Sequence, residues 1–207
     1  YDGKPTDTMK HTYNQAFAIY ALSAYYLASK DKTALDLALE LFHTVEDKCR
    51  DDVAYLEAMS EDWQIIPNDA LSENGLMADK TMNTVLHLIE AYTVLLEACE
   101  NGESAHIEER LMFLLKIAED KIFNGGKNCL RVFFDREFNE IGDIHSYGHD
   151  IEASWLIDRA CEVIGERRFM AKWRFIDLRI AENIYDIAFE NGAVNNEREN
   201  DKVDKKR

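Results

Sequence analysis

The sequence is short of the residues that interrupt regular structure. Glycine (9) and proline (2) together account for 11 of 207 residues, well under the ~12% of an average globular chain. A β-sandwich or barrel, turning every ~8–12 residues, needs more of both. Basic side chains are also scarce: 24 Lys+Arg stand against 40 Asp+Glu, for a net charge of −16. Binding to a phosphate backbone draws on clustered Lys/Arg, so nucleic acid is not an expected partner. No apolar run approaches the ~18 residues of a membrane span, and no charged-then-apolar leader opens the sequence, so no membrane partner and a cytoplasmic location are expected. The four cysteines, Cys49, Cys99, Cys129 and Cys161, form no CxxC pair. Zinc ribbons and thioredoxin-like sites are thereby excluded, and buried reduced thiols are expected.

What is present is a large apolar content, 46% hydrophobic and 11% aromatic, enough to build a core and to exclude overall disorder. Its pattern alternates between two kinds of helix. Tyr13 to Leu27 contains no charged residue, and a helix apolar on every side is expected to be buried on every side. Thr33 to Lys48 instead places Leu35, Ala38, Leu39, Phe42 and Val45 on one face, the mark of an outer, half-solvated helix. The pair recurs: Thr81 to Ala98 reads as buried, while Ser104 to Lys121 turns Leu111, Leu114, Leu115 and Ala118 inward. A third pair follows in Asp150 to Ile164 and Phe169 to Phe189. The buried members begin near His11, Lys80 and His149, a recurrence of about 70 residues. This reads as an all-α toroid of inner and outer helices, present as an incomplete part of a ring and organised as one domain over 1–207. One extended element, Leu130 to Asp135 after the Gly125-Gly126 turn, is expected to form a small β-hairpin with residues near Ile141. The polar run 191–207 carries no closing element and reads either as a tail or as a connecting stretch.

In such a ring the helix starts at one mouth converge, so polar residues there are the candidate site. Lys10 to Gln15 precede the charge-free helix, where Thr12 or Asn14 can serve as an N-cap. Asn83 and His87 are spaced i, i+4 on one helix face; an amide and an imidazole so placed can hold a sugar hydroxyl or carbonyl oxygen, or simply satisfy one another in the core. The segment Asp143 to Trp155 holds two histidines, three carboxylates and two aromatics within thirteen residues. There His149 sits at the mouth with Glu152 one turn on, a spacing in which a carboxylate can orient an imidazole base. Trp155 offers a flat apolar wall. His145 and His149 are also i, i+4, but zinc chelation at that spacing needs both on one helix, and His145 falls in the approaching loop. No metal site is expected from them.

HTYNQAFAIYALSAYY, ALSENGLMADKTMNTVLHLIEAYT and GDIHSYGHDIEASWLIDRAC resemble the N-acylglucosamine 2-epimerase superfamily, and within it most closely the cellobiose 2-epimerase branch. The resemblance runs from Tyr1 to Arg207. It implies an (α/α)6 barrel of about twice this length, with the chain as its central portion, and epimerisation at C2 of the reducing-end glucose in β-1,4-linked disaccharides through an enediol. It implies no cofactor. By the same resemblance His149 is the general base/acid, Glu152 its supporting carboxylate and His87 an aid to ring opening, while Asn83, Trp155 and Tyr13 bind substrate. The family's second catalytic histidine has no counterpart between residues 1 and 207, nor has the arginine of its first inner helices. His11, His43 and His106 match nothing catalytic, and His43 and His106 read as surface residues.

Two further readings share these residues. An N-acylglucosamine 2-epimerase or a mannose-type aldose–ketose isomerase would use the same histidines and move a different proton. A non-catalytic carbohydrate-binding toroid would keep the helices without the chemistry. In each case the partner is a small sugar, and the protein is expected to be a monomer or weak homodimer.

Overall fold

The computed structural model describes residues 2–68, 75–99 and 102–205; the first residues of the ALSENGLMADK stretch, 70–74, lie outside them. Among the described residues six α-helices form three hairpins in chain order: α1 (Thr12–Ser29) with α2 (Lys32–Lys48), α3 (Met82–Ala98) with α4 (Ser104–Ile117, continued by a π-helical turn Ala118–Ile122), and α5 (Tyr147–Ile164) with α6 (Arg167–Ala188). Local chemistry sets the ends. Asp31 caps α2 by accepting from the Thr33 N–H at 3.0 Å, Thr81 caps α3 through the Thr84 N–H at 3.0 Å, and Glu166 caps α6 through the Phe169 N–H at 2.7 Å. Gly165 ends α5 at φ 77, a left-handed conformation a residue without Cβ adopts freely. The expected caps at Thr12 or Asn14 are not used: His11 is the N-cap of α1 and makes no side-chain cap bond. Thr12 instead donates its hydroxyl to the Leu56 carbonyl at 2.5 Å.

The inner and outer assignment holds, but α1 and α5 are not buried on every side, α5 leaving Ile151 and Trp155 exposed. α3 packs on α1, α4 and α5 and is buried over most of its surface. The outer helices bury single stripes, Leu35, Ala38, Phe42 and Val45 on α2 and Leu111, Leu114 and Leu115 on α4. The main helix neighbours of α1 are α2 and α3, and a face with Phe17, Ala21, Ala24 and Tyr25 is exposed. Composition alone says how much apolar surface a helix carries, and only its neighbours decide how much is covered.

Short strands run between the hairpins. The expected hairpin near residue 130 divides in two. Phe123–Asn124 pairs with Cys129–Leu130 around the Gly125-Gly126 turn. Phe133–Phe134 pairs chiefly with Lys80–Thr81, at the entry to α3, and receives the Ile141 N–H on the Phe133 carbonyl at 2.9 Å. Nor is the polar run after residue 190 without structure. Glu197–Glu199 lies between Lys202–Asp204 and Ile144–Ser146 in a three-stranded antiparallel sheet. Charge holds it there: Arg198 grips Asp143 with both terminal nitrogens, at 3.2 and 3.0 Å. That guanidinium, with Lys127 also within 3.3 Å, pulls the Asp143 carboxyl down to about 2.

Candidate functional site

Backbone and carboxylate hydrogen bonds bring the starts of the inner helices together. The Thr12 N–H, entering α1, donates to the Glu57 carbonyl at 3.0 Å. The Glu57 carboxylate, 1% exposed, accepts from the hydroxyls of Thr81 and Thr84 at the start of α3, at 2.6 and 2.7 Å. The α3 and α5 starts meet through strand 129–130: the Leu130 N–H donates to Asp150 at 3.0 Å, while Met82 N–H donates to the neighbouring Val132 carbonyl at 2.9 Å. Asp150 also pairs with Nε2 of His145 at 2.7 Å, both groups being buried. Burial pushes the Asp150 carboxyl up, against the opposing pull of His145. The pair locks the first turn of α5 onto the strand that enters it.

That locked turn carries His149. Its Nδ1 lies 2.7 Å from the Ser146 Oγ and its Nε2 lies 3.1 Å from Oδ1 of Asn83 on α3. As oriented, Nε2–H donates to the amide oxygen and the Ser146 hydroxyl donates to Nδ1, so the ring is satisfied while neutral. Burial lowers the His149 pKa below the usual histidine value; the Glu152 charge works the other way and His87 adds to the lowering. Glu152 therefore acts on the ring through space. The expectation that Glu152 orients the imidazole is corrected: Ser146, one turn earlier, makes the hydrogen bond.

His87, 7% exposed, sits one turn along α3 from Asn83. Its Nδ1 is 3.1 Å from Oε2 of Glu90, and its ring lies 4.4 Å from that of Phe17 on α1. Phe17 in turn meets Tyr13 edge-on at 6.1 Å. Tyr13, Phe17, His87, Asn83 and His149 thus form a continuous path across the starts of α1, α3 and α5. Trp155 stands apart, two turns into α5 and 57% exposed. It borders a cavity of about 440 Å³ with Ser154, Arg174 and Asp177, and one of about 180 Å³ with Tyr20, Glu90 and Thr93.

Three residues of this arrangement are missing from the sequence reading: Ser146, Glu90 and Phe17. Glu90 carried a signal, the i, i+3 spacing from His87. Ser146 precedes its helix where capping serines are common, which concealed its other role. Phe17 has no sequence signal at all, since its partner arrives from another hairpin.

The described residues contain no helix long and apolar enough to cross a membrane. A family model for N-acylglucosamine 2-epimerase (GlcNAc 2-epimerase) matches residues 1–202. A cellobiose 2-epimerase of Ruminococcus albus is 55% identical over 207 residues, covering 100% of this chain and 52% of that protein. Among solved structures, a sugar epimerase from a ruminal bacterium superposes with a TM-score of 0.94 at 54% identity, over 99% of this chain and 52% of that one. A cellobiose 2-epimerase from Bacillus thermoamylovorans does so with a TM-score of 0.91 at 39% identity, again over 99% and 52%. The chain spans about half the length of these relatives, and its three hairpins are an incomplete (α/α)6 barrel. With the match running through both the Asn83–His87 and the His149 segments, the chain belongs to the N-acylglucosamine 2-epimerase family.

Proposed function

We propose that the protein carrying this chain inverts C2 of the reducing-end glucose of β-1,4-linked disaccharides, turning cellobiose into glucosyl-mannose. The observation that supports it most is the neutral imidazole of His149, set beside the Asn83 amide where the inner helices start. In the opened sugar the C1 aldehyde acidifies the C2 hydrogen. In the tautomer whose Nδ1–H donates to Ser146 Oγ, Nε2 of His149 takes that proton as the sugar displaces Asn83 from it, the C–H electron pair becomes the C1–C2 double bond, and negative charge passes to O1. Hydrogen bonds from the Asn83 amide and from His87 stabilise this oxyanion, so the carbonyl is polarised by the chain's own donors. The proton must then return to the opposite face of C2, through a second acid or by a turn of the intermediate over His149. A base with a lowered pKa is already unprotonated at neutral pH, as proton abstraction requires. Tyr13 and Trp155 supply flat surfaces for the sugar rings in this reading.

The 207 residues are, in this reading, the central part of a single catalytic domain. The cysteines described are buried and free, which suits the reducing cytoplasm.

The test is to run the reaction on cellobiose in deuterium oxide with the full chain. Epimerisation by proton transfer puts deuterium at C2 of both recovered epimers. A ketose product would identify an aldose–ketose isomerase instead, and binding without any C2 exchange would identify a carbohydrate-binding toroid. His149→Ala is expected to lower kcat by about 10²-fold or more.

A further inference from the structure

Two histidines that the reaction does not use meet on the outer layer. His43 lies on α2 and His106 in the first turn of α4, with Glu103 immediately before that helix. Nε2 of His43 is 3.5 Å from Oε2 of Glu103. One donor atom from each of the three side chains falls within 4.8 Å of the other two. The buried Phe42 holds both imidazoles edge-on, at ring distances of 5.3 and 5.2 Å, and the two imidazole rings are 6.1 Å apart. An ion pair between His43 and Glu103 would account for two of these groups but not for the second imidazole turned to the same spot.

We propose that His43, Glu103 and His106 bind a divalent transition-metal ion, with zinc the best fit. Two imidazoles and one carboxylate suit zinc, copper or nickel, and disfavour the all-oxygen shells of calcium and magnesium. Bond lengths of about 2.0–2.2 Å around a tetrahedral zinc set ligand atoms roughly 3.3–3.6 Å apart. The His43–Glu103 spacing already meets this. The widest pair, within 4.8 Å, needs only a small rotation of the exposed imidazoles against Phe42 to close. Three protein ligands leave the fourth position to water. The ion would tie together two outer helices already linked by Phe42 against His106 and by the Arg110–Glu46 ion pair. Its effect is therefore expected on stability rather than on sugar chemistry, and the surplus of 16 negative charges favours cation capture.

The test uses tag-free, chelator-treated full chain titrated with zinc chloride. One ion bound per chain is expected by calorimetry, with a rise in Tm that saturates at that stoichiometry. His43→Gln and His106→Gln are each expected to weaken zinc binding at least tenfold while leaving the metal-free Tm near that of the parent. Cobalt substitution should give the visible d–d bands of a low-coordinate site, and these should vanish in His106→Gln. Failure of zinc to shift Tm, or parental affinity in the His43→Gln/His106→Gln double variant, would overturn the assignment.

Discussion

Nε2 of His149 and Oδ1 of Asn83 lie 3.1 Å apart although 66 residues separate them in the chain. The contact crosses from α5 to α3 and brings together two of the conspicuous polar segments of the sequence. If Asn83 both positions the imidazole and holds the sugar oxyanion, Asn83→Ala should lower kcat by about 10²-fold, the usual cost of losing one oxyanion donor. Asn83→Asp should put a negative charge beside the ring and raise the His149 pKa. An NMR titration of the imidazole in each variant reads this directly; an unchanged pKa in Asn83→Asp would contradict the contact.

The pH dependence follows from the direction of the His149 shift. Burial lowers its pKa below the usual histidine value, so the base form predominates at neutral pH and the acid limb of kcat/KM lies below that of an ordinary histidine. Glu152 opposes the lowering through space. Glu152→Gln should therefore move the acid limb to still lower pH. An upward movement would show that Glu152 acts by another route.

Oε2 of Glu90 accepts from Nδ1–H of His87 across 3.1 Å, and Glu90 borders the smaller cavity beside Trp155. Glu90→Ala should free the His87 ring and reduce kcat about tenfold or more with KM changing less, and Glu90→Gln should recover much of the loss by keeping a hydrogen-bonding partner. Equal losses in both variants would assign Glu90 to charge rather than to ring orientation.

Asp177, on α6, has both carboxylate oxygens buried without a hydrogen-bond partner among the described residues. Burial, reinforced by the Asp158 charge, raises its pKa from 3.8 to about 8. The folded state therefore holds a proton that the unfolded chain releases near pH 4. Stability from this site is complete below that value and declines as pH rises toward 8. Asp177→Asn keeps the neutral shape, so its gain in Tm over the parent should grow between pH 4 and pH 8 and level off above. A constant difference across that range would mean that the carboxylate finds a partner in solution.

Much of the helical pattern was legible because each helix encodes its own face. The Leu35, Ala38, Phe42 and Val45 stripe of α2 and the Leu111, Leu114 and Leu115 stripe of α4 are local facts of spacing, and their burial follows. His149, Asn83 and His87 stood out for a related reason: polar groups in otherwise apolar helices are costly unless paired or used. The strands were harder to read. Lys80–Thr81 and Phe133–Phe134 are two residues each, too short for a period-two pattern to register. Glu197–Glu199 is all polar and is held by a sheet partner more than 50 residues away. The side chain that holds His149 was misread because Glu152 and Ser146 are both one turn from it, and sequence spacing does not distinguish them.

Periodicity, charge and composition are properties of neighbouring residues, so they already make the chain legible as helical, acidic, arranged in three inner–outer pairs and provided with histidines at the helix starts. Tertiary structure alone decided which groups touch. Ser146 and Asn83 rather than Glu152 hold the His149 ring, Phe17 rather than any residue of its own helix covers His87, and His43 and His106 converge on Glu103. Each of these depends on how separate hairpins rotate and slide when their apolar stripes interlock, and that packing is set by the whole core rather than by any one segment.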